Sequence, residues 1–123
     1  MGYHHLAPDD LPETEDYPCD RRGLSDAAEL LSLHAATYAM APGEQLARQY
    51  HYHERREELF YVRSGTLHVE TPDGEFVVEE DEVFVADPES PHRAYNPADA
   101  DGSVRVLGVG APKSDIALPY DPD

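Results

Sequence analysis

The sequence predicts an all-β fold, a single barrel or sandwich preceded by an N-terminal arm. Three observations predict it. Short segments rich in β-branched, aromatic and aliphatic residues recur at 46–53, 58–63, 66–71, 75–79, 82–86, 92–96 and 104–109, which is the spacing of a many-stranded barrel. Turn-forming residues separate them, at Arg63-Ser64-Gly65-Thr66, Thr71-Pro72-Asp73-Gly74, Asp87-Pro88 and from Pro97 to Gly102, where proline fixes φ and glycine admits positive φ. No segment repeats along the 123 residues, so one barrel is expected rather than a fused pair.

Residues 1–25 are rich in Pro, Asp and Glu and lack periodicity, which reads as an arm, disordered or draped over the barrel. The run from Ser25 to Leu31 suits one helical turn or a lead into the first strand, and 31–40 continues through Leu33, Thr37 and Tyr38 to the turn Ala41-Pro42-Gly43-Glu44. The barrel is expected over 26–111. A tail over 112–123, with Pro112, Pro119 and Pro122, reads as an extended strap. Alternation with period two assigns the core. Phe60 and Val62 share a face with Glu58, and Leu67 with Val69, Val83 with Val85 and Val104 with Val106 form further inward pairs. Each such side chain contributes about 1.5–3 kcal/mol on burial. A small barrel leaves an outer sheet face uncovered, so a homodimer is expected, and the arm is a candidate to cross to the partner.

The residues that speak to chemistry are His51, His53, Glu58 and His92. Side chains two apart in a strand point the same way, so His51 and His53 can grip one divalent ion. The segment Glu54-Arg55-Arg56-Glu57 is charged and reads as a turn, and an antiparallel return would bring Glu58 back beside the two histidines. Glu57 is the alternative carboxylate. Much later, Pro91-His92-Arg93-Ala94-Tyr95-Asn96 supplies a third imidazole. Three neutral imidazoles and a carboxylate suit a first-row transition metal. Four protein ligands on an octahedral ion leave two positions for water, substrate or oxygen, unlike a closed structural site.

At these spacings the chain resembles the cupins. That family carries a glycine, an HxH pair, a glutamate three or four residues on, and a glycine six residues later. Here Gly43, His51-x-His53, Glu58 after four residues and Gly65 after six more take those places, with seven residues between Gly43 and the pair. The second motif, Gly-x5-Pro-x-Gly-x2-His-x3-Asn, survives only as His92-x3-Asn96. Its upstream glycine, proline and glycine fall on Asp81, Asp87 and Glu89, although Pro88 and Pro91 still punctuate the loop. The resemblance covers roughly residues 30–110. It implies a single cupin barrel (a double-stranded β-helix, or jelly roll) with one divalent transition metal, Fe, Mn, Ni, Zn or Cu. The ion would be bound by His51, His53, Glu58 and His92, with Glu58 preferred over Glu57 for its distance to Gly65. It also implies an enzyme of dioxygenase, decarboxylase or isomerase type acting on a small polar oxygenated molecule. The alternative is a cupin that binds or senses a small ligand without turnover. The ligand set favours the enzyme; the lack of an identifiable catalytic base favours the binder.

Composition bounds the setting. The formal net charge is −17, with 26 acidic residues against nine basic ones, and Lys113 is the single lysine. This acidic, lysine-poor balance resembles proteins of halophilic archaea, in which high salt screens self-repulsion. It argues against nucleic acid and anionic membranes, which need basic clusters. It disfavours anionic substrates such as phosphosugars unless Arg48 or other arginines line the mouth. No apolar run spans a bilayer, no secretory signal opens the chain, and one cysteine, Cys19, forms no internal disulfide; a cytoplasmic protein is expected. Cys19 has acidic neighbours and is expected to be inert.

Other polar residues are expected in supporting roles. His68 opposes Leu67 and Val69 and is expected on an exposed or interface surface, while either face of 31–40 would fit His34. His4 and His5 are expected in solvent. Tyr50, Tyr52 and Tyr95 alternate away from the ligand histidines and are expected to pack, with Arg48 and Gln49 at the rim. Asn96 is expected to satisfy backbone before Pro97.

Overall fold

The computed structural model describes residues 2–123. Among the described residues, ten strands form: eight fall on the expected extended segments, and two lie in the stretches expected as arm and tail. They are β1 (Asp20–Gly23), β2 (His34–Met40), β3 (His51–Tyr52), β4 (Glu57–Ser64), β5 (Leu67–Thr71), β6 (Gly74–Val78), β7 (Val83–Ala86), β8 (Arg93–Tyr95), β9 (Val104–Ala111) and β10 (Leu118–Pro119). One short helix, α1 (Leu24–Ala28), lies between β1 and β2. The fold is mostly β, a double-stranded β-helix with little helix, as expected. Among the described residues, no helix is long and apolar enough to cross a membrane.

Two layers enclose the core. One is a five-stranded antiparallel sheet in the order β1-β2-β9-β4-β7; facing it are the three strands β6-β5-β8 and the pair β10-β3. Isolated bridges between Gln45 and Tyr95, and between His51 and His92, stitch the β3 region to β8. The inward faces of β2, β4, β5 and β9 supply Met40, Val62, Leu67, Val69, Val104 and Val106, all fully buried. At about 1.5–3 kcal/mol each, these side chains dominate the favourable side of the barrel's stability. Gly65 makes the β4–β5 turn. Its φ is +81°, and a Cβ there would meet the Ser103 carbonyl at 2.7 Å, so only glycine fits.

Three expectations about strands need correction. The stretch 46–50 is not a strand; it bends, and only His51 and Tyr52 pair. Val83 and Val85 lie outside the core, 48 % and 56 % exposed, because β7 is an edge strand that turns Phe84 and Ala86 inward. β4 does not return beside β3. It pairs with β7 and β9, while β3 pairs with the tail strand β10, so Glu58 approaches the histidines from the opposite layer. The charged segment between them is a crossover between layers rather than a hairpin turn.

The chain also enters the sheet earlier than its composition suggests. Asp20–Gly23 pair with Gly23-facing Ala36 through Ala39 of β2, and Thr14 N–H donates to Arg21 O at 2.8 Å. The segment before it is therefore draped along the barrel, with Tyr17 packed against the core and Cys19 within it. The tail straps the other side. Arg56 donates to the carbonyls of Pro112 and Lys113, and Asp115 accepts the backbone N–H groups of Arg55 and Arg56, each at 2.8 Å.

Candidate metal centre

His51, Glu58 and His92 form a compact cluster whose ligand atoms all lie within 4.8 Å of one another. Each comes from a different place. His51 opens β3, His92 immediately precedes β8, and Glu58 is the second residue of β4. Neighbours of Glu58 across the sheet are Ala86 and Gly110, which leave room for the carboxylate to turn inward. At Gly110 a Cβ would stand 2.9 Å from the Arg56 side chain. Glu57, one residue earlier, is exposed on the other face.

The imidazole nitrogens converge on one oxygen. Glu58 Oε1 lies 3.2 Å from His92 Nε2, 3.5 Å from His53 Nε2 and 3.8 Å from His51 Nε2, with the carboxylate side chain only 10 % exposed. His53 thus borders the same oxygen, although it stands outside the mutually close triad. The tautomers follow from the opposite ring atoms. His51 Nδ1 donates to Gln49 O and His92 Nδ1 to Ser90 O, both at 2.9 Å. A carbonyl only accepts, so both Nδ1 atoms carry the proton and both Nε2 atoms present lone pairs. Phe60 and Phe84 wall His92, with ring centroids 5.8 and 6.2 Å away.

Lone pairs facing a carboxylate oxygen at this range repel unless a cation lies between them. Glu58 Oε1 and His92 Nε2 are buried with no hydrogen-bond partner, which is the signature of a group awaiting one. Ligand atoms about 2.1 Å from one ion stand ~3.0 Å apart at a right angle and ~3.4 Å at a tetrahedral angle, which the 3.2 Å to His92 and 3.5 Å to His53 approach, with His51 farther at 3.8 Å. The residues therefore fit a divalent ion. A proton is the competitor. Burial disfavours the His51 cation, but Glu58 and the Gln49 carbonyl outweigh burial and raise its pKa above the ordinary value. Burial likewise pushes the Glu58 carboxyl upward, yet contacts with His51 and His92 outweigh it and hold the group well below the usual carboxylate range. The His53 pKa goes the other way, lowered mainly by burial.

A cavity of about 320 Å³ is lined by His51, His53 and Glu58, while His92 lines a second cavity together with Phe84. His34, which fitted either face, lines the first cavity and meets Arg21 Nη2 through Nε2 at 3.2 Å. Arg48 and Gln49 line it as expected rim groups. Tyr17, Arg21, Asp115 and Ala117 also line it, and these went unnoticed in the sequence because they belong to the arm and the strap. The one signal available is the alternation Tyr17, Cys19, Arg21 within an otherwise irregular acidic stretch. Asn96 is structural: its Nδ2 donates to Met40 O at 3.0 Å and Gly102 O at 2.9 Å. His68 is half-buried against Tyr95. Tyr50 packs on Tyr120. Cys19 is buried, and burial followed by Glu44 and Asp20 pushes its thiol up to about 12, so it is inert.

Comparison with solved structures supports the same architecture. A sugar phosphate isomerase of the cupin superfamily from Silicibacter pomeroyi superposes with a TM-score of 0.81 at 21% identity, over 96% of this chain and 82% of that one. The polyketide cyclase RemF from Streptomyces resistomycificus matches with a TM-score of 0.76 at 16% identity, over 98% and 88%. A cupin protein from Bacteroides fragilis matches with a TM-score of 0.67 at 13% identity, over 91% and 92%. No curated protein matches the chain at a significant level. The family model described as "Cupin domain" matches residues 36–109, a span that holds the whole histidine–glutamate cluster. The chain belongs to the cupin family.

Proposed function

We propose that this cupin is a metal-dependent enzyme acting on a small polar oxygenated molecule. It would hold one divalent transition ion through His51, Glu58 and His92, with His53 as the fourth ligand. The observation that carries this reading is the convergence of imidazole Nε2 atoms on Glu58 Oε1, with the Nδ1 protons of His51 and His92 committed to backbone carbonyls. That arrangement fixes the ligating tautomer before any ion arrives. When bound, the ion supplies Lewis acidity at a substrate oxygen. The chain's own residues do the rest. Glu58 supplies the charge that offsets the ion, Phe60 and Phe84 pack against the His92 ring, and the cavity holds the reactant beside His51, His53 and Glu58. Isomerase, decarboxylase and dioxygenase chemistries all suit such a site, and the sugar phosphate isomerase and polyketide cyclase neighbours support substrates of this kind.

A specific observation favours a second reading, a binding or sensing cupin without turnover. Besides Glu58, the carboxylate lining the cavity is Asp115, whose Oδ2 is held by two backbone N–H groups and whose Oδ1 faces the Arg55 guanidinium at 4.0 Å, an arrangement that suits anchoring of the strap better than proton transfer. Metal analysis of untagged protein after reconstitution tests the metal reading, and less than about a tenth of an equivalent would overturn it. Oxygen uptake and product formation with small diols, enols and hydroxy acids then separate enzyme from binder. We further propose that the protein works in high salt and as a homodimer, supported by its charge of −17 and by the apolar outer face of β4 and β7.

A further inference from the structure

The cavity is cationic in a chain that is otherwise strongly acidic. Three of the nine basic residues, Arg21, Arg48 and Arg56, line it. Against them stand two carboxylates, Glu58 at the floor and Asp115, whose Oδ2 accepts the backbone N–H groups of Arg55 and Arg56 and whose Oδ1 lies 4.0 Å from Arg55 Nε. Among the described residues, the other arginines mostly have acids. Arg22 pairs with Asp20, Arg55 with Asp115, Arg93 with Glu70 and Arg105 with Asp9. Arg21, Arg48, Arg56 and Arg63 pair with none, and three of these four meet at one pocket.

Their commitments differ. Arg56 is spent on the strap carbonyls and is 8 % exposed. Arg21 and Arg48 flank the ring of Tyr17, with guanidinium carbons 5.6 and 5.0 Å from its centroid. Arg21 is positioned by Thr14 Oγ1 at 3.0 Å and by His34; Arg48 is held by the carbonyl of Asp16. Neutral partners orient both forks and leave both charges uncompensated. Guanidinium groups held this way match planar or tetrahedral oxyanions.

We propose that the cavity takes a small organic anion whose phosphate or carboxylate is held by Arg21 and Arg48, with a hydroxyl or carbonyl oxygen directed toward His51, His53 and Glu58. This rests on the metal-site reading for the second half of the molecule, but the arginine clamp stands on its own geometry. It meets the exception attached to the net-charge expectation: Arg48 and other arginines line the cavity, so the repulsion of a −17 chain is offset there. A cavity of about 320 Å³ admits a molecule the size of a pentose phosphate.

The test is calorimetric titration of the full chain, metal-loaded and metal-free, with D-ribose 5-phosphate, D-ribonate and D-ribose. An anion is expected to bind at least about tenfold tighter than the neutral sugar at low salt. Which of the two anions binds tighter tells phosphate from carboxylate. Arg48→Gln, a change to an exposed side chain, lowers that ratio severalfold, and Arg21→Gln with Arg48→Gln removes it. Arg63→Gln, equally unpaired but outside this cavity, leaves it intact. Should the double variant lose its β-sheet circular dichroism, Arg48→Gln alone decides. Equal affinity for all three probes, no binding of any of them, or a ratio unchanged by the arginine variants overturns the proposal. Anion preference in a chain that takes up no metal keeps the clamp and discards the metal reading; metal uptake without anion preference does the reverse.

Discussion

His51 and His92 exchange both of their backbone hydrogen bonds: His51 N–H donates to His92 O at 3.2 Å, and His92 N–H to His51 O at 2.9 Å. The two imidazoles therefore stand side by side, with centroids 4.9 Å apart, because the main chain puts them there. Side-chain replacement leaves that pairing in place. His92→Ala is expected to lower metal affinity by at least about a hundredfold, while far-ultraviolet circular dichroism keeps its β-sheet signature. Loss of that signature in the variant would show that the histidine holds the barrel rather than the ion.

Glu89 sits in the loop that brings His92 to the site, with φ at +67°, and Asp81 upstream has the same φ. Both occupy positions where the cupin pattern has glycine. The loop thus keeps the left-handed geometry with acids in place of glycines, at a cost of ~1–2 kcal/mol per residue. Part of that cost is returned by the smaller entropy of a non-glycine unfolded chain. Glu89→Gly is expected to stabilise the protein by roughly 0.5–1 kcal/mol in urea unfolding, with metal affinity unchanged because the Glu89 N–H to His53 O bond at 2.6 Å is a backbone bond. Asp81→Gly should gain less, since Asp81 also accepts the Tyr61 hydroxyl.

His34 sets a pH dependence. Burial first, then Arg56 and Arg21, push its imidazole down to about 4 from 6.5, partly opposed by Glu58, with His53 adding to the lowering. Between those two values the unfolded chain carries a proton at this position that the folded chain refuses. Stability therefore falls as pH drops from about 6.5 toward 4, and this contribution is flat above and below that window. Comparing denaturant midpoints of the wild type and His34→Gln at pH 7, 6 and 5 isolates it from the many carboxylates. The variant should lose less stability over that range, and equal slopes would refute the assignment.

Much of the site is legible in sequence because ligand chemistry admits few residue types and because inward alternation ties His51 to His53 and Glu58 to Phe60 and Val62. The route of Glu58 is not. A charged stretch between two short strand-like segments looks the same whether the chain turns back or crosses to the facing layer, and only the pairing of β3 with β10 decides. Val83 and Val85 mislead for a related reason: β-branched residues suit both faces of an edge strand, and Phe84 outcompetes them for the core. Tyr17 and Arg21 are invisible as cavity walls because Pro, Asp and Glu dominate their surroundings and conceal an edge strand.

The charge of −17 makes a prediction of its own. Four arginines find acidic partners in the fold, too few to neutralise 26 acidic residues. The remaining repulsion is greater in the compact state than in the expanded one, and added salt screens it. The melting temperature is expected to rise from millimolar to multimolar KCl. A higher melting temperature at low salt would exclude adaptation to a saline interior.

Leu59 and Val85 lie opposite each other in the β4–β7 pair, and Tyr61 lies opposite Val83. In the β4–β9 pair the same residues face Val109 and Leu107. Together they form an apolar outer face, with Leu59 37 %, Val83 48 % and Val85 56 % exposed. A contiguous patch of this kind on a strongly charged protein is costly to leave in water. The partner we propose for this face is a second copy of the chain, since a two-fold axis brings a patch onto itself. Light scattering on the eluting protein is expected to give the mass of two chains. Val85→Glu should reduce it to one and leave metal content unchanged, because the outward side chain has no contact with the cluster. A wild type that elutes as a single chain in both low and high salt would leave this face solvated and end the dimer proposal.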